Sequence, residues 1–388
     1  MIKCIFMVSR RFLWILNFSC YCLYAAIATT IGPTLPDISK EFNLTPDLAG
    51  AIVALYSLGG MMAFIGGYIS DKIGRGLVSS ISLIIMGISS LMVSMSPSFY
   101  LLGIALLLIG VGGGVFEAAS NAMVSDLFTE KRGMAVNLLH VAWNIGSGFG
   151  PPLIAIVILL TGSWRLAYLV FLPLLFPLAV SMYISSRNLE KPHSKRRLDD
   201  SVLNILRRFF VMLPITSIAI FIIGVELGLS SWLPSILYDV GASLIEGGLT
   251  VGLFWGLMGV GRLVWAPFTD RLGYVKSLIL SSITGVISMG IAALPLSIHL
   301  KMVFWAISGF FFAPLYPTLI AWITALNPNA GGAYTGILFT FGTIGSFIST
   351  WLLGVIIKFY GTLIAQYFLS LIGFIMILNI LVAKIRVK

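Results

Sequence analysis

Twelve apolar stretches of about 20 residues, each long enough to cross a hydrocarbon core roughly 30 Å thick as a helix, follow one another along the 388 residues. They run from Phe12 to Ile31, Ala49 to Ser70, Leu77 to Met95, Tyr100 to Val124, Met134 to Leu160, Leu166 to Ser185, Phe209 to Tyr238, Leu244 to Phe268, Ser277 to Leu296, Met302 to Ala325, Gly332 to Ile357 and Leu363 to Ala383. With 59% hydrophobic residues, 10% charged residues and a mean hydropathy of +1.03, a soluble fold would have to hold large apolar patches against water. The stretches are continuous rather than alternating, which argues against a transmembrane β-barrel. Pro173, Pro177, Pro234, Pro314 and Pro317 fall inside them, a pattern that membrane helices tolerate because neighbouring helices satisfy the freed backbone groups.

Charge sets the orientation. With the N-terminus in the cytoplasm, 19 of the 24 Lys and Arg fall on that side, while Lys40, Arg165, Lys301 and Lys358 fall outside and Arg262 lies within a span. This asymmetry predicts a multi-pass protein of the plasma membrane with both termini cytoplasmic. The net charge of +10 follows from that topology and calls for no nucleic-acid partner. Arg10 and Arg11 precede a full-length first span with no small-residue cleavage site, so this span reads as a retained helix rather than a signal peptide. Cys4, Cys20 and Cys22 form no paired framework, and neither a disulfide nor a metal site is expected. No phosphate-binding loop and no spacing of nucleophile and base stands out, so neither ATP drive, a cofactor nor an enzyme is expected.

Two short polar inserts, Asp71-Lys72-Ile73-Gly74-Arg75 and Asp270-Arg271-Leu272-Gly273, start 199 positions apart, close to half the chain. One helical unit written twice accounts for that offset. The resulting architecture is an all-α membrane protein with two pseudo-symmetric six-helix bundles, 1–185 and 209–388, joined by a cytoplasmic linker at 186–208 whose Lys195-Arg196-Arg197 run faces lipid headgroups.

An intramembrane acid is costly to keep, and only Glu117 and Glu226 lie deep inside spans. Glu117 precedes Asp126 by nine residues, which places it roughly 13 Å into the membrane at the helical rise, and His140 follows Arg132 by eight, roughly 12 Å in. Asn121 and Asn144 follow Glu117 and His140 by four, so each pair shares a helix face. An acid, an imidazole and two amides at one depth suit recognition of a polyhydroxylated or otherwise polar solute, with Glu117 carrying the driving proton and His140 and Glu226 as further proton-coupling candidates. Interhelical hydrogen bonding is the competing reading of each of these residues. Glu226 lies thirteen residues before Asp239, roughly 20 Å deep, and pairing with Arg262 is its structural alternative. Trp232 does not share a straight-helix face with Glu226, but a break at Gly228 or Pro234 would bring both to a central site, with the indole stacked on solute. Asn17, Tyr21 and Tyr24 line one side of the first span, and Tyr316 and Trp322 in the tenth are further candidates.

The insert Gly67-Tyr68-Ile69-Ser70-Asp71-Lys72-Ile73-Gly74-Arg75 resembles the signature loop of the major facilitator superfamily, and Thr269-Asp270-Arg271-Leu272-Gly273 resembles its degenerate copy. A narrower resemblance, to the fucose-permease-like sugar symporters, rests on Gly114-Val115-Phe116-Glu117-Ala118-Ala119-Ser120-Asn121, on Asn137-Leu138-Leu139-His140 with Gly146 to Pro151, on Gly224-Val225-Glu226 with Ser231-Trp232, and on Tyr316-Pro317-Thr318. The acid that the fucose permease carries near the end of its first span corresponds here to about Gly32, so an identical proton relay is not implied.

The superfamily resemblance implies alternating access around a midplane site. It also implies a latch in which Asp71 and Arg75 bind Asp126 or Glu130, Gly67 and Gly74 allow close packing, and Arg262, Asp270 and Arg271 form a weaker copy. The expected protein is a monomeric secondary symporter in the lipid bilayer that carries a sugar-like solute with protons, sodium being the alternative ion. An exporter of amphipathic compounds and a non-transporting receptor are the other classes considered.

Overall fold

The computed structural model describes residues 10–128, 132–187, 212–326 and 331–386, with the backbone alone described at 132–134 and 331–336. The predicted linker at 186–208, apart from Ser186 and Arg187, lies outside the described residues, as does Glu130. Among the described residues eleven helical stretches are long and apolar enough to cross a membrane: Arg10–Glu41, Pro46–Ile73, Arg75–Ser94, Phe99–Leu127, Ala135–Thr161, Trp164–Ser186, Met212–Asp239, Leu244–Leu272, Tyr274–Ala293, Ile298–Leu326 and Ile337–Arg386. The last holds 50 residues, far more than one crossing needs, and turns at Gly361, whose φ of 82° is left-handed and non-helical. It therefore carries the eleventh and twelfth spans, which completes the twelve expected from hydropathy.

Several spans are broken where the sequence dictates. In the first, Pro33 has no N–H to offer the Thr29 carbonyl, and the helix steps at Thr29-Thr30 before resuming at Ile31. Threonine hydroxyls absorb the disturbance: Thr29 donates to Ala25 O at 2.9 Å, Thr30 to Ala26 O at 3.0 Å and Thr34 to Thr30 O at 3.0 Å. Ala313-Pro314 interrupts the tenth span in the same way, between Ile298–Phe312 and Leu315–Leu326.

The chain divides into two compact units, Met1–Leu44 with Ile52–His193, and Thr45–Ala51 with Ser194–Lys388. In the first, the third and fourth spans pack along each other, as do the first and fifth; in the second, the seventh packs along the eleventh and the eighth along the tenth. The seven residues Thr45–Ala51, from the start of the second span, belong to the second unit. There Lys358 Nζ reaches Asp47 Oδ2 at 2.9 Å, and Gly50 and Gly354 bring the two backbones so close that a Cβ on Gly50 would stand 3.2 Å from Gly354 Cα.

Candidate functional site

Glycines on the fourth span bring four helices together. A Cβ at Gly112 would press on Met86 Cγ at 2.8 Å and Ser82 O at 3.0 Å in the third span, and one at Gly114 would stand 3.0 Å from Gly60 Cα in the second. Gly113 faces the first span, where an added Cβ would overlap the Tyr24 ring and stand 3.0 Å from Cζ. Because helix–helix association in lipid rests on close packing rather than on a hydrophobic gradient, small residues at such crossings decide how near the helices come. Four residues further along, Glu117 receives the Tyr24 hydroxyl on Oε2 at 3.3 Å.

Glu117 is 8% exposed, and among the described residues no lysine or arginine forms an ion pair with it. The Tyr24 ring that reaches it belongs to a knot of rings. Tyr24 and Trp143 have centroids 5.1 Å apart, Tyr24 and Phe116 5.8 Å, Tyr21 and Tyr24 5.8 Å, and Tyr21 and His140 5.9 Å, all edge-on, with Tyr21 also touching Phe116 and Trp143. Edge-to-face contact at this spacing is the favourable arrangement of aromatic quadrupoles. Tyr21 and Phe116 are wholly buried, whereas Trp143 and His140 stay half-exposed.

The predicted amides take different places. Asn17 and Ser120 close on one another, Ser120 Oγ donating to Asn17 Oδ1 at 2.9 Å and Asn17 Nδ2 to the Ser120 carbonyl at 3.4 Å. Asn121 turns back along its own helix to donate to the Glu117 carbonyl at 3.0 Å. Asn144 is 1% exposed and neither end of its amide meets a partner among the described residues; Ser147, one turn on, is likewise buried and unpartnered. Phe116, Ser120 and Trp143 were not singled out from the sequence, although Trp143 follows His140 by three and so shares its helix face.

In the second unit Glu226 is 7% exposed, and the Arg262 charge acts on it from the eighth span. The seventh span runs as one α-helix over Ile218–Asp239 through Gly228 and Pro234, so the break that would have swung Trp232 beside Glu226 is absent. Trp232 instead donates its indole N–H to Thr350 O at 2.9 Å, packed against the eleventh span, while Trp255 donates to Ser230 Oγ at 3.1 Å. Tyr316 is half-buried and Trp322 buried in the tenth span.

The repeated insert folds differently in its two copies. Both turns place a left-handed glycine between helices, Gly74 at φ 106° and Gly273 at φ 79°. In the first copy Arg75 pairs with Asp71 Oδ1 at 3.2 Å, with Asp126 at the end of the fourth span, and with the Ala122 carbonyl. Gly67 lies against Ala118, at ordinary contact distance for an added Cβ. In the second copy Asp270 and Arg271 are exposed and make no ion pair among the described residues. The position 199 after Arg75 is Tyr274, so the guanidinium that joins three groups in the first unit has no counterpart in the second.

Twelve spans, a half-length repeat and this helix-joining insert define a polytopic membrane transporter of small solutes. The chain belongs to the Major Facilitator Superfamily, whose profile matches residues 18–349 and 236–388. Among curated proteins it is 24% identical over 311 residues to the fosmidomycin resistance protein of Escherichia coli strain K12, covering 79% of this chain and 76% of that one. It is 23% identical over 371 residues to the cyanate transport protein of the same organism, covering 93% and 94%. Its fold is similar to that of a bacterial homologue of the human lysosomal transporter Spinster in an inward-facing, unoccupied conformation, with a TM-score of 0.76, 16% identity, and 97% and 96% of the two chains covered.

Proposed function

We propose that the protein is a secondary active transporter that exposes a small polar solute alternately to the two sides of the membrane, driven by a proton gradient through Glu117. One observation carries the reading: a carboxyl group in the fourth span, roughly 13 Å from the helix end, accepts a tyrosine hydroxyl and has no ion-pair partner among the described residues. A lone carboxylate is expensive in hydrocarbon and cheap once protonated, so its proton occupancy is coupled to the conformations that wet it. Coupling follows when solute and proton bias the same equilibrium.

A sugar, the solute that the fucose-permease resemblance implies, needs several free donors and acceptors. Asn17 and Ser120 bond to each other and Asn121 Nδ2 to its own helix, so the polar groups left to a sugar are Asn121 Oδ1, the Asn144 amide and the Ser147 hydroxyl. Extrusion is the second reading, favoured by similarity to a protein named for resistance.

The test is flux. Purified protein in sealed vesicles is given an imposed pH gradient and a panel of sugars, organic acids and amines, with a sodium gradient in parallel. Proton-driven accumulation should be lost in Glu117→Gln while solute exchange persists. Unchanged accumulation in that variant defeats the proposal.

A further inference from the structure

Resting on that transport reading, we infer that the solute presents a carboxamide-type group, an N–H beside a C=O, and that Asn144 and Ser147 of the fifth span receive it. The lead is an unmet demand for partners. Asn144 is 1% exposed, and neither its Oδ1 nor its Nδ2 has a hydrogen-bond partner among the described residues. Ser147 is wholly buried, and its hydroxyl is equally unpartnered. Burying such groups unpaired is costly in any protein and more so at membrane depth, where no bulk water meets them. A solute that supplies the missing partners offsets that cost.

Placement makes these groups one site. Asn144, Ser147 and Pro151 follow one another by three and four residues, so they share a helix face. Pro151 and Pro152 lie inside the helix Arg132–Thr161 and have no N–H to give the Ser147 and Gly148 carbonyls, so two backbone acceptors lack their usual helical bond beside the amide. Ser147 stands fifteen residues from Arg132 and fourteen from Thr161, the middle of the span. The first span is met by another face: an added Cβ would stand 2.9 Å from Ala25 Cβ at Gly146 and 2.9 Å from Ala26 Cα at Gly150, whereas Asn144 lies two residues from Gly146, roughly 200° around the helix. Along the Asn144 face exposure rises toward the Arg132 end, where His140 is half-exposed and Asn137 exposed. A polar line therefore leads from that helix end to the buried amide, and the alternating exposure of the transport reading supplies the opening.

The unmet groups select the class. The Asn144 side chain offers two donor hydrogens and an acceptor, the serine hydroxyl a donor and an acceptor, and the two carbonyls acceptors only. A carboxamide turned toward Asn144 closes a pair of hydrogen bonds, donating an N–H to Oδ1 and accepting from Nδ2. Its second N–H is left for Ser147 Oγ or one of the carbonyls. A carboxylate brings no donor and would bury a charge among acceptors, while an ammonium group leaves Nδ2 unmet. The many hydroxyls of a sugar outnumber this set, whose next neighbour on the face is the apolar ring of Pro151.

Equilibrium binding to the purified protein separates this inference from the transport reading. The probes are benzamide, N,N-dimethylbenzamide, which has no N–H, benzoate and fucose, read by calorimetry. Benzamide should bind saturably and at least about tenfold more tightly than each of the others. Asn144→Leu removes both ends of the amide at similar volume, and should weaken benzamide at least about tenfold while leaving the thermal midpoint of the solute-free protein unchanged or raised, since an unpaired group is gone. Ser147→Ala should weaken benzamide several-fold with the same effect on the midpoint. Absence of benzamide binding, equal affinity for benzamide and its dimethyl derivative, or undiminished benzamide binding in Asn144→Leu overturns the inference. A lowered midpoint in both variants with benzamide affinity intact identifies a water-bridged helix contact and overturns it equally. If benzamide fails while a pH gradient still drives some solute, transport stands and the carboxamide class falls. If benzamide binds as described and no solute moves, benzamide included, the site stands and the transport reading falls.

Discussion

The Gly113→Ala substitution tests whether the glycine crossing positions Glu117, the proposed proton carrier. An added Cβ overlaps the Tyr24 ring and stands 3.0 Å from Cζ and 3.1 Å from the hydroxyl oxygen, against the 3.4 Å at which such contacts become ordinary. The Cε2 atom is nearer still, so the ring must move by well over 0.4 Å, and the hydroxyl already sits 3.3 Å from Glu117 Oε2, near the long limit of a hydrogen bond that such a shift disturbs. Overpacking a tight helix crossing costs about 1–3 kcal/mol, and Tyr24 has little room to yield because Phe116 and Trp143 press on it at 5.8 and 5.1 Å between centroids. The expected result is a lowered thermal midpoint in detergent together with at least a several-fold loss of proton-driven accumulation in vesicles. Tyr24→Phe, which removes the same hydroxyl without crowding, should reproduce the loss of coupling and leave the thermal midpoint nearly intact. Gly256→Ala and Gly290→Ala, where an added Cβ meets nothing within 4 Å, serve as controls and should transport as the parent does. Parental accumulation in both Gly113→Ala and Tyr24→Phe refutes the view that this contact tunes Glu117.

Two further outcomes follow from the ion pairs and the buried cation. Arg75 is 17% exposed on its side chain and holds Asp71, Asp126 and the Ala122 carbonyl, so Arg75→Gln should slow turnover far more than Asp71→Asn, which removes one exposed pair worth only a few tenths of a kcal/mol. Initial rates against solute affinity read this out: equal turnover in the two variants, or a change in affinity alone, contradicts the latch. Lys301 is 5% exposed and its ammonium group donates to the Ala292 carbonyl at 2.9 Å and the Leu294 carbonyl at 2.6 Å where the ninth span ends. Lys301→Met strips both carbonyls of their donor and should lower thermal stability by about 1–3 kcal/mol while leaving ion coupling alone; an unchanged midpoint shows that water replaces the ammonium group.

Hydropathy and the 199-residue offset were enough to establish a helical membrane protein with two related halves, because a bilayer imposes length and apolarity on every crossing element and a duplicated insert survives as sequence. The deep acids were legible for the same reason, since charge inside an apolar run is conspicuous. Which polar residues remain free was not legible. Asn17 and Asn121 read as ligands from their spacing, yet one locks onto Ser120, 103 residues away, and the other onto its own helix. Trp232 likewise read as a stacking platform on the premise of a broken helix; the seventh span stays whole, and the indole caps a carbonyl of the eleventh.

The sequence by itself determined the solvent, the number of crossings, the internal repeat and the depth of Glu117, all properties of one helix at a time. Only the tertiary structure decided that Tyr24, packed against Phe116 and Trp143, donates to that acid, and that Arg75 ties three groups. The reason is physical: spacing along a helix fixes which side chains share a face, but partners on other helices are set by how closely glycines such as Gly113 and Gly114 let the backbones approach.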